Sequence, residues 1–273
     1  MEILVEVNRC IEDITCRLSE VVEEPFHEAQ LLFLRFIKKD KLWLITHGDS
    51  SVEVDEIELE KWIAKREQNI PLEYISHVVD FYGYEFYIDD GALIPRPETE
   101  LLIDKVLEYA DKNREYKVVE VGVGSAIISV VLALKLPHIK IDAIDISSKA
   151  LHVARKNIVK FNLEDRVTLI EGDLLSGYES EIEILVSNPP YIAKDFKLDK
   201  NVLFEPHNAL FGGDVGDELI RKLLLHVRDK KIPFFACEMG YDQKDKILEF
   251  LEFNSSIEFY KDYSGYNRGF TIQ

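Results

Sequence analysis

The sequence predicts an α/β protein, a doubly wound and mainly parallel sheet preceded by a small helical domain. Three observations predict it. Apolar residues recur at three- and four-residue spacing up to about Tyr74. Farther on, apolar runs of strand length alternate with runs of helix length. The ends of those strands carry glycine, acid and proline in place of ordinary turn residues.

Taken in order, Ile11, Ile14 and Leu18 form one helical row, Leu31, Leu34 and Ile37 a second, and Ile57, Trp62 and Ile63 a third. Such short amphipathic helices make either a docking surface for a partner protein or a small packed cap. "DFYGYEFYIDD", Asp80 to Asp90, is aromatic-rich around Gly83 and predicts a short hairpin bridging the two parts. Then "KVVEV" is a strand, "AIISVVLALKL" a helix, "IKIDAIDI" a strand, "ALHVARKNIVKFN" a helix, and "VTLIEGD", "IEILVSN" and "PFFACEMG" are strands. In such a sheet ligands sit beyond the carboxyl ends of the strands, where strand order reverses.

Composition narrows the function classes. With 273 residues, 47% hydrophobic and 31% charged, the chain can bury one substantial core and a smaller companion. Its net charge of -18 disfavours phosphate backbones and anionic lipid as partners. Cys10, Cys16 and Cys237 are an odd count without a C-x-x-C pair, against a disulfide framework or a structural zinc site; no metal is expected, and a reducing cytoplasm fits best. The start "MEILVEVNRC" has no basic region leading into an apolar one, and no apolar run approaches ~20 residues, so neither export nor membrane insertion is expected.

Four strand ends carry the chemistry. The first, "EVGVGSA", places Gly122 and Gly124 where the backbone turns sharply and a Cβ is expected to collide with a ligand. A dinucleotide fingerprint asks for a third glycine at position 127, where Ile127 stands, so a ligand less anionic than a pyrophosphate is expected. The second ends in Asp145, placed either to accept from both hydroxyls of a ribose or, with Ser147, to cap the next helix. The third, "EGDLL", offers Asp173 to an adenine amino group and Leu174 to its ring.

The fourth ends in "VSNPPYI". Two prolines cannot donate to a ladder and fix their own φ, so the strand stops in a stiff corner. Asn188 brings a side-chain carbonyl and Pro189 a backbone carbonyl, two acceptors suited to the two hydrogens of a planar NH₂ group. Tyr191 can lay its ring against that plane. The corner is a clamp for an amide or exocyclic amine, turning its nitrogen outward for reaction.

Glycine turn, ribose acid and "NPPY" together resemble the class I S-adenosylmethionine-dependent methyltransferases that modify nitrogen, which implies a Rossmann-like, mainly parallel seven-stranded sheet. "ALIPRPETELLID" at Ala92 to Asp104 closely resembles the release factor glutamine methyltransferases, the HemK-like family. "PLEYI", "FYGYEFYID", "FEPHNAL", "CEMGYDQ" and "KDYSGYNRGF" extend the resemblance over nearly the whole chain. It implies N5-methylation of the GGQ glutamine of class 1 peptide chain release factors, with S-adenosyl-L-methionine as cofactor. It implies also a docking domain over residues 1–78, a β-hairpin connector over 79–97 and a catalytic domain over 98–273, working as a cytoplasmic monomer. Gly122, Val123, Gly124, Ser125, Ala126, Asp145, Asp173, Leu174 and Asn188 would meet the cofactor, and Asn188, Pro189, Pro190 and Tyr191 the substrate amide. Asn188, Pro189 and Tyr191 would be catalytic. Arg96 to Glu100 would border the cofactor pocket, or simply open a helix with Glu98 and Glu100 in its first turn.

The family's usual Asp-Leu-Gly-Thr-Gly-Ser-Gly is here Glu120 to Ala126. Ala126 replaces a glycine where a helix begins, and as the better helix former it predicts a small shift of the pocket. Val123 removes a hydroxyl, and "DVGDEL" after Gly213 replaces the usual Asp-Gly-Leu. The alternatives are a methyltransferase for a ribosomal protein glutamine, one for adenine in nucleic acid, or a silent binding module on the same fold.

Overall fold

The computed structural model describes residues 1–251 and 256–273. It divides into two compact units, Met1–His77 with Asp199–Phe204, and Val78–Leu198 with Glu205–Gln273.

The first unit comprises β1 (Glu2–Glu6), α1 (Val7–Leu18), α2 (Pro25–Ile37), α3 (Lys41–His47), β2 (Ser51–Asp55), α4 (Glu56–Glu67) and α5 (Leu72–Ser76). Ile11, Ile14 and Leu18 are buried on α1 as their spacing predicts. The second row is turned from the expected one: Ala29, Leu32, Phe33 and Leu34 fill the core, while Leu31 and Ile37 pack at its margin. On α4 the buried residues are Leu59, Ile63 and Arg66, whereas Ile57, in the first turn, is 58% exposed. The helical reading also missed one element pair. β1 and β2 run antiparallel, Glu2 opposite Asp55 and Glu6 opposite Ser51, in strands of five residues whose partners lie far apart along the chain.

The second unit opens with β3 (Val78–Phe81) and β4 (Tyr84–Tyr87), the expected hairpin. Tyr82 and Gly83 both have positive φ, 52° and 76°, as the two-residue turn that matches strand twist requires. There follow α6 (Thr99–Tyr109), β5 (Lys117–Val121), α7 (Ile127–Lys135), β6 (Lys140–Asp145), α8 (Ser148–Lys160), β7 (Val167–Glu171), β8 (Ile184–Ser187) and β9 (Ile192–Ala193). The chain then forms α9 (His207–Leu210), β10 (Phe211–Gly213), α10 (Glu218–Lys230), β11 (Phe234–Glu238), α11 (Lys244–Phe250), β12 (Ile257–Lys261) and β13 (Asn267–Ile272).

Seven strands form one sheet in the order β12-β13-β11-β8-β5-β6-β7. The five from β11 to β7 are parallel, and β13 is antiparallel to both its neighbours. Helices cover such strands on both faces, so their residues read as continuous apolar runs; every residue of β8 and β11 is buried. The chain starts at β5, steps outward through β6 and β7, then returns to β8 on the other side of β5. Strand order therefore reverses between β5 and β8, and the crevice at their carboxyl ends is the place for a ligand.

Candidate active site

A cavity of about 200 Å³ lies at that crevice. Gly122, Val123, Gly124 and Ser125 line it from the end of β5, Asp145 from β6, and Asp173 and Leu174 from beyond β7. Asn188, Pro189 and Pro190 line it from the end of β8. Ala126 and Tyr191 do not line it.

The turn after β5 is built by its neighbours. Gly122 and Val123 donate to the Ile144 carbonyl at 2.8 and 3.1 Å, Gly124 donates to Asp145 Oδ2 at 2.9 Å, and Ala126 donates to the Val123 carbonyl at 2.8 Å. With these N–H groups engaged, the turn is no cradle for a phosphate, consistent with the missing third glycine. The glycines serve backbone conformation rather than clearance from protein atoms. Gly122 and Gly124 have φ of +76° and +52°, yet a Cβ on Gly122 would meet only the Asn188 carbonyl at 3.7 Å, and one on Gly124 would meet nothing.

Ala126 corrects the argument from helix propensity. It precedes α7 as the capping residue with φ 64° and ψ 22°, the left-handed region where a Cβ is unfavourable. The familiar glycine fits that conformation, and the alanine here carries backbone strain while lying fully buried behind the turn.

Asp145 is buried, and burial pushes its carboxyl pKa up against the lowering effect of its backbone hydrogen bonds. It accepts from Gly124 N–H on one oxygen and Ser147 N–H on the other, each at 2.9 Å. The cap of α8 falls to Ser147, whose Oγ accepts from Ala150 N–H at 3.3 Å, so Asp145 remains a wall of the cavity. Glu120 lines the same wall, 1% exposed, accepting from both the N–H and hydroxyl of Ser129. Burial pushes its pKa up to about 8.

The corner after β8 is held from several sides. Ser187 Oγ donates to the Val121 carbonyl at 2.8 Å, tying β8 to β5. Asn188 Nδ2 donates to Thr99 Oγ1 at 3.2 Å, Thr99 Oγ1 donates to Glu238 Oε2 at 2.7 Å, and the Tyr191 hydroxyl donates to Glu238 Oε1 at 3.0 Å. Gln243 Nε2 donates to the Tyr191 carbonyl at 3.0 Å. The strip β10 pairs with β9 and lies so close that a Cβ on Gly212 would fall 2.3 Å from the Pro190 carbonyl oxygen. A Cβ on Gly216 would fall 2.5 Å from that of Tyr191, so the altered loop after Gly213 still closes on the corner.

The chain matches relatives over most of its length. A protein of Koribacter versatilis named release factor glutamine methyltransferase is 35% identical over 252 residues, covering 89% of each chain. One of the same name from Dictyoglomus turgidum is 37% identical, covering 98% of this chain and 95% of its own. The chain belongs to the release factor glutamine methyltransferase family. The Methyltransferase small domain family matches residues 97–206 and the PrmC N-terminal domain family residues 10–76. Among solved structures, the hMettl16 catalytic domain in complex with MAT2A 3'UTR hairpin 6 superposes with a TM-score of 0.57 at 14% identity, covering 79% of this chain and 80% of that one. A methyltransferase from Pyrococcus furiosus superposes with a TM-score of 0.52 at 18% identity, covering 70% and 89%. These two share the class I methyltransferase fold with the chain.

Three supporting residues of this release factor glutamine methyltransferase family member escaped the sequence reading. Thr99 lies in the segment quoted for the resemblance: of Arg96 to Glu100 it is the residue that lines the cavity, and α6 begins at it, two residues after Pro97, with Glu100 in the first turn and Glu98 just ahead of the helix. Glu238 ends β11, an acid in an otherwise apolar buried strand, which was its visible signal. Glu205, 4% exposed, accepts from Ile94 N–H at 3.0 Å and pairs with Arg96, joining "ALIPRP" to "FEPHNAL".

Proposed function

We propose that Asn188 and Pro189 clamp the side-chain amide of the GGQ glutamine in class 1 peptide chain release factors, and that the protein methylates its N5. The observation that carries this is the Asn188 carboxamide. Its N–H group is engaged by Thr99, so the cavity side is offered a carbonyl oxygen, an acceptor for one amide hydrogen. The Pro189 carbonyl, fixed by the two proline rings, takes the other. Holding both hydrogens turns the nitrogen lone pair toward the electrophile, and alignment of reacting atoms supplies most of the acceleration. Tyr191 supports the corner from behind through Glu238.

The residues lining the cavity suit S-adenosyl-L-methionine, the cofactor of the family. When bound, it supplies a methyl group on a positively charged sulfur. Asp145, preoriented by two backbone N–H groups, would take the ribose hydroxyls. Asp173 and Leu174 would take the adenine, and the open side of Gly122 to Ser125 would face the amino-acid tail. The engaged N–H groups of the turn favour such a tail over a diphosphate. Residues 1–78 would dock the release factor, the hairpin segment 79–97 would lead into the catalytic domain, and the work would be done in the cytoplasm. Among the described residues no helix is long and apolar enough to cross a membrane.

The test is incubation of the protein with a class 1 release factor and the cofactor, followed by peptide mapping. A single methyl group on the GGQ glutamine is expected. Methylation of another residue, or of nucleic acid in its place, contradicts the assignment.

A further inference from the structure

We propose that Thr99 and Glu238 are positioning residues: a one-way hydrogen-bond chain from Asn188 through Thr99 to the Glu238 carboxylate fixes which end of the Asn188 side chain faces the substrate amide. This rests on the clamp assigned to Asn188 above.

The direction of the chain follows from counting hydrogens. A threonine hydroxyl has one hydrogen, and Thr99 gives it to Glu238 Oε2 at 2.7 Å. Toward Asn188, 3.2 Å away, Thr99 can then only accept, so the NH₂ end of the carboxamide must point at it. Tyr191 donates to the second oxygen of Glu238, so both carboxylate oxygens are acceptors. Thr99 and Glu238 are each 1% exposed, and a lost bond here is not replaced by bulk water.

A proton on Glu238 Oε2 would let the chain run the other way. Thr99 could accept that proton and turn its own hydrogen toward Asn188, which would satisfy it by rotating its carboxamide half a turn. Its NH₂ would then face the NH₂ of the substrate, donor against donor, and the clamp would be lost.

Glu238 is set for this by its surroundings. Burial is the dominant influence and pushes its pKa up to about 7, against the Thr99 and Tyr191 hydrogen bonds. Arg268 on β13, itself paired with Asp262 at 2.7 Å, opposes the rise, and Glu98 ahead of α6 adds to it. Cys237 on the same strand and Tyr260 on β12 are pushed further up by burial and stay neutral across this range. Charge on Glu238 is present above its folded pKa, so turnover should fall on the acid side of about pH 7.

The experiment is steady-state methylation of a release factor by wild type, Thr99→Val, Thr99→Ser, Glu238→Gln and Asn188→Ala, with cofactor Kd by calorimetry for each. Valine keeps the shape of threonine without its hydroxyl, and serine keeps the hydroxyl without the methyl group. Thr99→Val should lower kcat by about 10–100-fold with cofactor Kd little changed, and Thr99→Ser should restore most of it. Glu238→Gln, which can accept from Thr99 but does not titrate, should flatten the acid limb of kcat. The proposal is overturned if valine serves as well as serine, or if the acid limb persists in Glu238→Gln. Full activity in Asn188→Ala would instead overturn the clamp itself.

Discussion

Glu120 offers a sharp test of how the sheet buries charge beside the cavity. It is 1% exposed, accepts from Ser129 N–H at 2.9 Å, and burial raises its pKa from 4.5 to about 8, with the charge of Asp145 adding to the rise. The unfolded chain loses this proton near 4.5 and the folded chain only near 8. Between those values the folded state holds the extra proton, so stability falls by about 1.36 kcal/mol per pH unit. The contribution is fully present below 4.5 and lost as pH rises through about 8. Over the whole interval it amounts to roughly 3–6 kcal/mol, a large share of a domain's stability. Glu238 adds a slope of the same sign up to about pH 7, which leaves the interval from 7 to 8 mostly to Glu120. Glu120→Gln retains an acceptor for Ser129 and removes the titration. Urea unfolding at pH 5.5, 7 and 8.5 should show both proteins weakening from 5.5 to 7, the wild type more steeply, and from 7 to 8.5 only the wild type weakening further, so that the variant is the more stable at 8.5. Equal slopes for the two proteins would refute the reasoning.

Asp145→Ala should weaken cofactor binding about 10–100-fold by calorimetry, because it removes a charged acceptor and frees the Gly124 N–H that it holds. A Kd within twofold of wild type would contradict that role. Gly212→Ala must push a methyl group into the Pro190 carbonyl, so kcat should fall at least about tenfold while cofactor Kd changes little. Glu205→Ala strands Ile94 N–H and the Arg96 guanidinium, and should cost about 2–3 kcal/mol in urea unfolding.

The sheet and its ligand crevice were legible because parallel strands buried on both faces must be runs such as "FFACE", and because glycine, acid and proline at their ends have few other reasons to be there. Ten of the twelve residues expected at the site line one cavity. Tyr191 faces Glu238 instead, since its hydroxyl needs a partner once its ring packs into the core. The β1–β2 pair was hidden by distance: two five-residue strands about 45 positions apart show no turn between them. Helix propensity misleads at Ala126 because its φ of 64° places it outside the helix, where that scale does not apply. Thr99 was unreadable in its role because a threonine at a helix start is ordinary, and only the folded chain sets it between Asn188 and Glu238.

The most direct measurement is single-turnover methylation by Asn188→Ala at saturating cofactor, with cofactor affinity determined separately. A rate lower by about 10²–10³-fold with the Kd preserved is what a fixed acceptor for the amide hydrogens requires. A variant that turns over at the wild-type rate would mean that the corner between Asn188 and Tyr191 holds something other than the reacting nitrogen.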